Sequence, residues 1–385
     1  MEFDLSWILL GLPLAFVLGW GASRFDLRQL RMENRQAPKA YFKGLNFLLN
    51  EQQDQAIDAF IEAVQNDPDT SELHFALGNL FRRRGEYERA VRVHEHLLSR
   101  GDLATADRQR AQHALALDFL KAGLLDRAED ALRKLDHTPF ETQAQLALLA
   151  IYERSREWPQ AAGVARRLEA AGEASFAGRL AHYLCEEAGT LTASGDVAGA
   201  QRLLEQAQHD APQSARPRIQ LATLLRDQGR NTEALAALVA LFEAAPAAVP
   251  LAAMALARTA QDCGQAPRAL ELLRTLYAQT PSLDVMEAMV SLEAAAPGDD
   301  GRAREGYIRH LEQEPSLIAA ARWLAGEKLE KEQFHPPVQR ALDHAAKPLS
   351  RYRCAACGFE AREHFWQCPG CQAWDSYPPR RVEEL

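Results

Sequence analysis

A chain of 385 residues exceeds what one hydrophobic core usually covers, so several units or one elongated array are expected. Six cysteines are too few to staple such a length as a disulfide scaffold. A formal charge of −9 with no long Lys/Arg run argues against a general nucleic-acid binder, because neutralising phosphates needs a basic face.

The first predicted element is a membrane span. Leu5 to Ser23 is a stretch of 19 residues without a charge. At 1.5 Å per residue it makes roughly 28 Å of helix, close to the hydrocarbon thickness of a bilayer. A cleaved signal peptide would need a positive leading region, whereas Glu2 and Asp4 precede the stretch and Arg24, Arg28, Arg31 and Arg35 follow it. These flanks favour an uncleaved anchor, and basic residues stay on the cytoplasmic side, which leaves Met1 outside and everything from Arg24 onward inside the cell. Pro13 is tolerated in a membrane helix, and Trp7 and Trp20 fall near the two interfaces. A cytoplasmic address disfavours disulfides and makes paired cysteines better candidates for metal ligands.

Beyond the anchor the chain repeats itself. Gly-x-x-x-x-Ala recurs as Gly85 to Ala90, Gly123 to Ala128, Gly195 to Ala200, Gly229 to Ala234, Gly264 to Ala269 and Gly298 to Ala303. With Ala56 and Ala161 in the same register, the steps between successive alanines are 34, 38, 33, 39, 34, 35 and 34 residues. That period and signature resemble the tetratricopeptide repeat. In residues 215–246, Ile219, Ala222 and Leu225 share one face of a first helix, and Ala234, Leu238 and Leu241 one face of a second. Gly229 stands where the first helix must end in a left-handed residue, and the small Ala234 lets the two axes approach. Pro246 ends the second helix, as Pro68, Pro212, Pro281 and Pro315 do in other units.

Some units depart from the pattern. Arg156 stands where glycine is expected, and the steps of 38 and 39 imply insertions near 100–110 and 170–180 that lengthen helices or loops. The first unit, from about Ala37, has Gly44, Ala56, Phe60 and Pro68 in register, so the superhelix begins close to the membrane face. After Pro315 a degenerate ninth pair caps the array. Within the array His94 and His96 are expected to be ordinary surface or groove residues, since positions two apart share no helix face and Leu98 breaks the H-E-x-x-H pattern. Cys185 and Cys263 are expected as buried small hydrophobes. No phosphate loop, nucleophile elbow or dinucleotide fingerprint is present, and no catalytic residue is assigned.

The last predicted element is the richest in chemistry. Cys354 and Cys357, then Cys368 and Cys371, form two C-x-x-C knuckles separated by ten residues, with Gly358 and the Pro369-Gly370 pair helping each to turn. Four thiolates close a tetrahedral site around one zinc ion, with iron as the alternative in so rubredoxin-like a cage. Such a closed site leaves no coordination position for chemistry and acts as a staple for a unit with too little core of its own. His364 is a spare rather than a ligand. Trp366, Trp374, Phe359 and Tyr377 exceed what this unit can bury internally, so part of that surface should dock on the last repeats or on a partner.

An N-terminal anchor, "GLNFLLNEQQDQAIDAF", "LGNLFRRRGEYERAVRVHEHLL", "AGLLDRAEDAL" and "YRCAACGFEAREHFWQCPGCQAWDS", in that order, resemble the lipopolysaccharide assembly protein B family, membrane-anchored tetratricopeptide proteins of Gram-negative bacteria. The resemblance implies a non-enzymatic adaptor on the cytoplasmic face of the inner membrane. It would couple the lipid A deacetylase to a membrane-bound AAA+ protease that degrades it, opposed by an inner-membrane lipopolysaccharide sensor protein acting through the anchor. The metal role carries over onto Cys354, Cys357, Cys368 and Cys371.

The expected architecture is therefore all-α: a transmembrane anchor at 1–23, a cytoplasmic linker at 24–36, a tetratricopeptide superhelix of eight to nine units at 37–346, and a rubredoxin-like zinc-knuckle domain at 347–385. A membrane-tethered electron carrier, a generic repeat scaffold with a structural zinc and a nucleic-acid-binding ribbon are the competing classes, the last disfavoured by net acidity. Homodimerisation stays open.

Overall fold

The computed structural model describes residues 42–67, 70–173, 175–294, 302–325, 327 and 334–385, together with Phe16. The expected span at 5–23, the linker at 24–36, Pro68 and Gly298 lie outside the described residues, Phe16 excepted. Among the described residues no helix is long and apolar enough to cross a membrane.

The chain forms two compact units, Met1–Glu157 and Trp158–Leu385. The first contains α1 (described over 42–49), α2 (Gln53–Asn66), α3 (Ser71–Arg84), α4 (Tyr87–Ser99), α5 (Thr105–Ala122), α6 (Leu125–Arg133) and α7 (Glu141–Ser155). The second contains α8 (Trp158–Ala170), α9 (Ala177–Ser194), α10 (Val197–Asp210), α11 (Ala215–Asp227), α12 (Asn231–Ala244), α13 (Val249–Asp262), α14 (Ala266–Gln279), α15 (Leu283–Ala294), α16 (Arg302–Gln313), α17 (Leu317–Ala325) and α18 (His335–Leu349). Two short strands, β1 (Tyr352–Arg353) and β2 (Glu360–Ala361), pair antiparallel, Tyr352 opposite Ala361. Within each unit successive helices pack as neighbours, α3 on α4 and α4 on α5, then α9 on α10, α11 on α12 and α13 on α14.

The helix ends follow from the small residues. Gly85, Gly123, Gly195, Gly229 and Gly264 all have φ between 66 and 89°. Each donates its N–H to the carbonyl three residues back, and the next residue donates to the carbonyl five back, as in Gly85 to Arg82 and Glu86 to Phe81. Arg156 closes the same motif at φ 60°, donating to Glu153 while Glu157 donates to Tyr152. The frame thus survives without glycine, at the cost of a Cβ in the left-handed region. The register alanines are all buried, as small residues between packed helices should be: Ala56, Ala90, Ala128, Ala161, Ala200 and Ala234 are 0% exposed and Ala269 is 2%. The two long steps are taken up by lengthened first helices, since α5 and α9 have 18 residues where α11 has 13.

One expectation about the array is corrected. His96 is exposed, but His94 is fully buried, its Nδ1 2.5 Å from Asp118 Oδ2, and Arg82 Nη1 donates to Asp118 Oδ1 at 2.9 Å. Gly78 makes the room: a Cβ there would lie 2.5 Å from His94 Nε2. A buried charge needs a partner, and Asp118 comes from the following helix, invisible to the local pattern on α4. Cys185 is buried and Cys263 half-buried.

Candidate metal centre

The two knuckles are built alike. In the first, Gly358 at φ 79° donates to the Cys354 carbonyl at 2.9 Å, and Cys354 N–H donates to the Phe359 carbonyl at 2.9 Å. In the second, Gln372 at φ 63° donates to the Cys368 carbonyl at 2.8 Å, and Cys368 N–H donates to the Ala373 carbonyl at 2.9 Å. The left-handed residue of the second knuckle is therefore Gln372, and Gly370, expected to supply the tight turn, is not in that region. The reason is the turn itself, which reverses after the second cysteine of each pair rather than between the two.

These turns bring the four sulfurs together. Their Sγ atoms all lie within 4.8 Å of one another. Across the knuckles Cys354 and Cys371 stand 3.8 Å apart and Cys357 and Cys368 3.7 Å. A tetrahedron with metal–sulfur bonds of about 2.3 Å has edges of about 3.8 Å, so the donor set fits one tetrahedral ion. Cys354 and Cys368 are buried, while Cys357 and Cys371 are exposed. The Ser376 hydroxyl beside Cys354 holds its thiol down at about 6. Cys357 is pushed up to about 12, because the Phe359 backbone N–H that would lower it is outweighed by desolvation and by the three neighbouring sulfurs. His364 stays outside the cage, its Nε2 3.1 Å from the Tyr377 carbonyl.

The expected aromatic docking occurs, but mostly on earlier helices than anticipated. Trp374, three residues past Cys371, stacks on His182 with centroids 4.8 Å apart and meets Trp158 and Tyr183 edge-on at 6.2 and 5.9 Å. Asp375 Oδ2 lies 2.9 Å from His182 Nε2. Trp366 packs against the repeat core, Tyr377 is buried inside the metal domain beside Leu251, and Phe359 remains 45% exposed. The receiving residues lie on α8 and α9 because the metal domain folds back along its own unit. Nothing in their local sequence marks Trp158, His182 or Tyr183, some two hundred residues before Trp374, as its seat. Beneath the domain runs a groove of about 560 Å³ lined by Ala177, Ala211, Leu251, His364, Trp366 and Tyr377 among others.

The repeats and the cage define a class: a tetratricopeptide-repeat scaffold carrying a four-cysteine metal-binding domain. Family models agree, matching a rubredoxin metal binding domain over residues 352–378 and tetratricopeptide repeats over 73–109 and 191–259. The chain is 31% identical over 385 residues to lipopolysaccharide assembly protein B of Escherichia coli strain K12, covering 98% of both chains. It is 27% identical over 392 residues to the Haemophilus influenzae protein of that name, again covering 98% of each. The chain belongs to the lipopolysaccharide assembly protein B family. Among solved structures, a tetratricopeptide repeat protein from Parabacteroides merdae is similar over 66% of this chain and 98% of its own, at 16% identity and a TM-score of 0.33.

Proposed function

We propose that this protein is an inner-membrane adaptor that regulates lipopolysaccharide synthesis by presenting the lipid A deacetylase to a membrane-bound AAA+ protease. The observation that carries the reading is end-to-end similarity to relatives named for lipopolysaccharide assembly. A repeat scaffold supports it physically, since stacked hairpins offer a long binding surface. A single-pass anchor at 1–23, with the repeats and metal domain on the cytoplasmic side, would raise the effective concentration of membrane-bound partners without any new contact. An inner-membrane lipopolysaccharide sensor would act on the same anchor. The four thiolates would hold one zinc as a structural staple, and the adaptor would carry out no reaction of its own.

The test is a crosslinked pull-down from membranes with residues 1–23 intact. Joint recovery of the protease and the deacetylase is expected; recovery of neither would sink the adaptor reading. Metal analysis of purified protein should give about one zinc per chain and no visible colour, whereas a coloured, iron-loaded protein would move the cage toward electron transfer.

A further inference from the structure

Two helix starts in the second unit share one sequence. Pro281-Ser282-Leu283 opens α15 and Pro315-Ser316-Leu317 opens α17, 34 residues or one repeat period apart. Consecutive residues of the segment 381–385 are seated on them. Glu383 Oε1 accepts from the N–H groups of Leu317 at 2.5 Å and Ile318 at 3.2 Å, and its Oε2 accepts from Ser316 Oγ at 2.7 Å. Glu384 Oε1 accepts from Leu283 N–H at 2.6 Å, and its Oε2 from Arg381 N–H at 2.8 Å. Arg381 donates from Nε and Nη2 to both oxygens of Asp284, at 2.9 and 2.7 Å. Ser282, 1% exposed, has an Oγ without a hydrogen-bond partner, at the position where Ser316 Oγ meets Glu383. A small cavity of about 80 Å³ lies between the two starts, walled by His310, Glu314, Ser316, Arg380, Glu383 and Glu384 along with the two prolines.

We propose that the paired Pro-Ser-Leu helix starts form a receptor for acidic peptides of the pattern Arg-x-Glu-Glu, occupied in cis by Arg381–Glu384, and that a partner protein carrying such a segment engages this unit by displacing it. The first N–H groups of a helix have no partner inside it and carry partial positive charge, so each start takes one carboxylate. The repeat brings two starts close enough for adjacent side chains to reach both. The arginine completes the pattern by neutralising Asp284, which would otherwise repel the second carboxylate. Because the resident segment is covalently attached, it competes at millimolar effective concentration, and a displacing partner needs either that local concentration or a weakened resident. The inference rests on the repeat geometry and not on the lipopolysaccharide reading.

The probe is a fluorescent peptide of residues 378–385, PPRRVEEL, titrated by anisotropy into the full chain and into a full-length Arg381→Ala/Glu383→Gln/Glu384→Gln variant. Saturable binding to the variant, at least tenfold tighter than to the unaltered chain, is expected. Replacing both glutamates of the peptide by glutamine should weaken binding roughly ten- to a hundredfold, the usual loss for charge-assisted hydrogen bonds. No saturable binding to a variant with an unchanged helical spectrum, or equal binding of the glutamine peptide, would overturn the proposal. Should the variant unfold, the unaltered chain carries the test. Val382 N–H donates to the Arg351 carbonyl at 2.7 Å. Its hydrogen exchange should accelerate when millimolar peptide displaces the segment, and an exchange rate indifferent to peptide refutes displacement.

Discussion

Trp374→Ala would separate docking of the metal domain from its folding. A fully buried Trp removes about 150–250 Å² from water, roughly 4–6 kcal/mol at 25 cal/mol per Å². Trp374 is half-buried, which brings that to about 2–3 kcal/mol. Its ring contacts with His182, Trp158 and Tyr183 add about 1 kcal/mol in total beyond area. A loss of about 3 kcal/mol corresponds to on the order of a hundredfold shift toward the undocked state. Hydrogen exchange by mass spectrometry on the full chain is the assay. Peptides from α8 and α9 that face the domain should lose protection, while the Cys354 and Cys368 amides, bonded within their knuckles, should keep theirs and metal content should not change. A His182→Ala/Trp374→Ala cycle should return a coupling of about 0.5–1.5 kcal/mol. Unaltered exchange in α9, or loss of metal from the Trp374 variant, would refute the idea that this ring holds the domain to the repeats.

Cys354→Ser or Cys371→Ser leaves three thiolates, so metal affinity should collapse while the helical signal of the repeats persists, measured by metal analysis beside circular dichroism. Under the proposed adaptor function, these variants should lengthen the half-life of the lipid A deacetylase in cells while their own abundance is unchanged; a normal half-life in a metal-free variant would make the cage dispensable. Arg156→Gly should stabilise by about 0.5–1 kcal/mol, the left-handed strain relieved less the glycine entropy, and a lower melting temperature would contradict it. Asp118→Ala strands His94 and Arg82 and should destabilise by about 3–5 kcal/mol in denaturant melts. His310 has its pKa lowered from its ordinary 6.5 by desolvation, with Tyr277 Oη 2.5 Å away, so between the two values the unfolded chain binds more protons. Its stabilising contribution is complete above 6.5 and is lost as pH falls toward the lowered value; His310→Gln should flatten that part of the stability profile, and an unchanged slope would reject it.

Much of the repeat framework was legible because its determinants are local. A glycine that ends a helix and an alanine five residues on act within one hairpin, and Gly229 with Ala234 announce themselves without knowledge of any other unit. The cage was legible for the same reason, since Cys354, Cys357, Cys368 and Cys371 carry their ligand spacing in the chain. Arg156 shows the limit in one direction: backbone hydrogen bonds from Arg156 and Glu157 closed the turn although the expected residue was missing. Gln372 shows it in another, because which residue of a knuckle takes the left-handed conformation depends on where the hydrogen bonds close, and Gly370 was the more conspicuous choice.

What tertiary structure alone decided is every pairing between distant segments. His94 became a core residue because Asp118 and Arg82 arrive from two other helices and Gly78 vacates the space. Trp374 found its seat on His182, and Glu383 and Glu384 found Ser316 and Leu283, through a chain reversal that no periodicity encodes. Periodic burial and ligand spacing are properties of neighbours in sequence, and can be read from it. The partner of a polar or aromatic side chain is a property of neighbours in space, set by how the hairpins stack and how the metal domain folds back upon them.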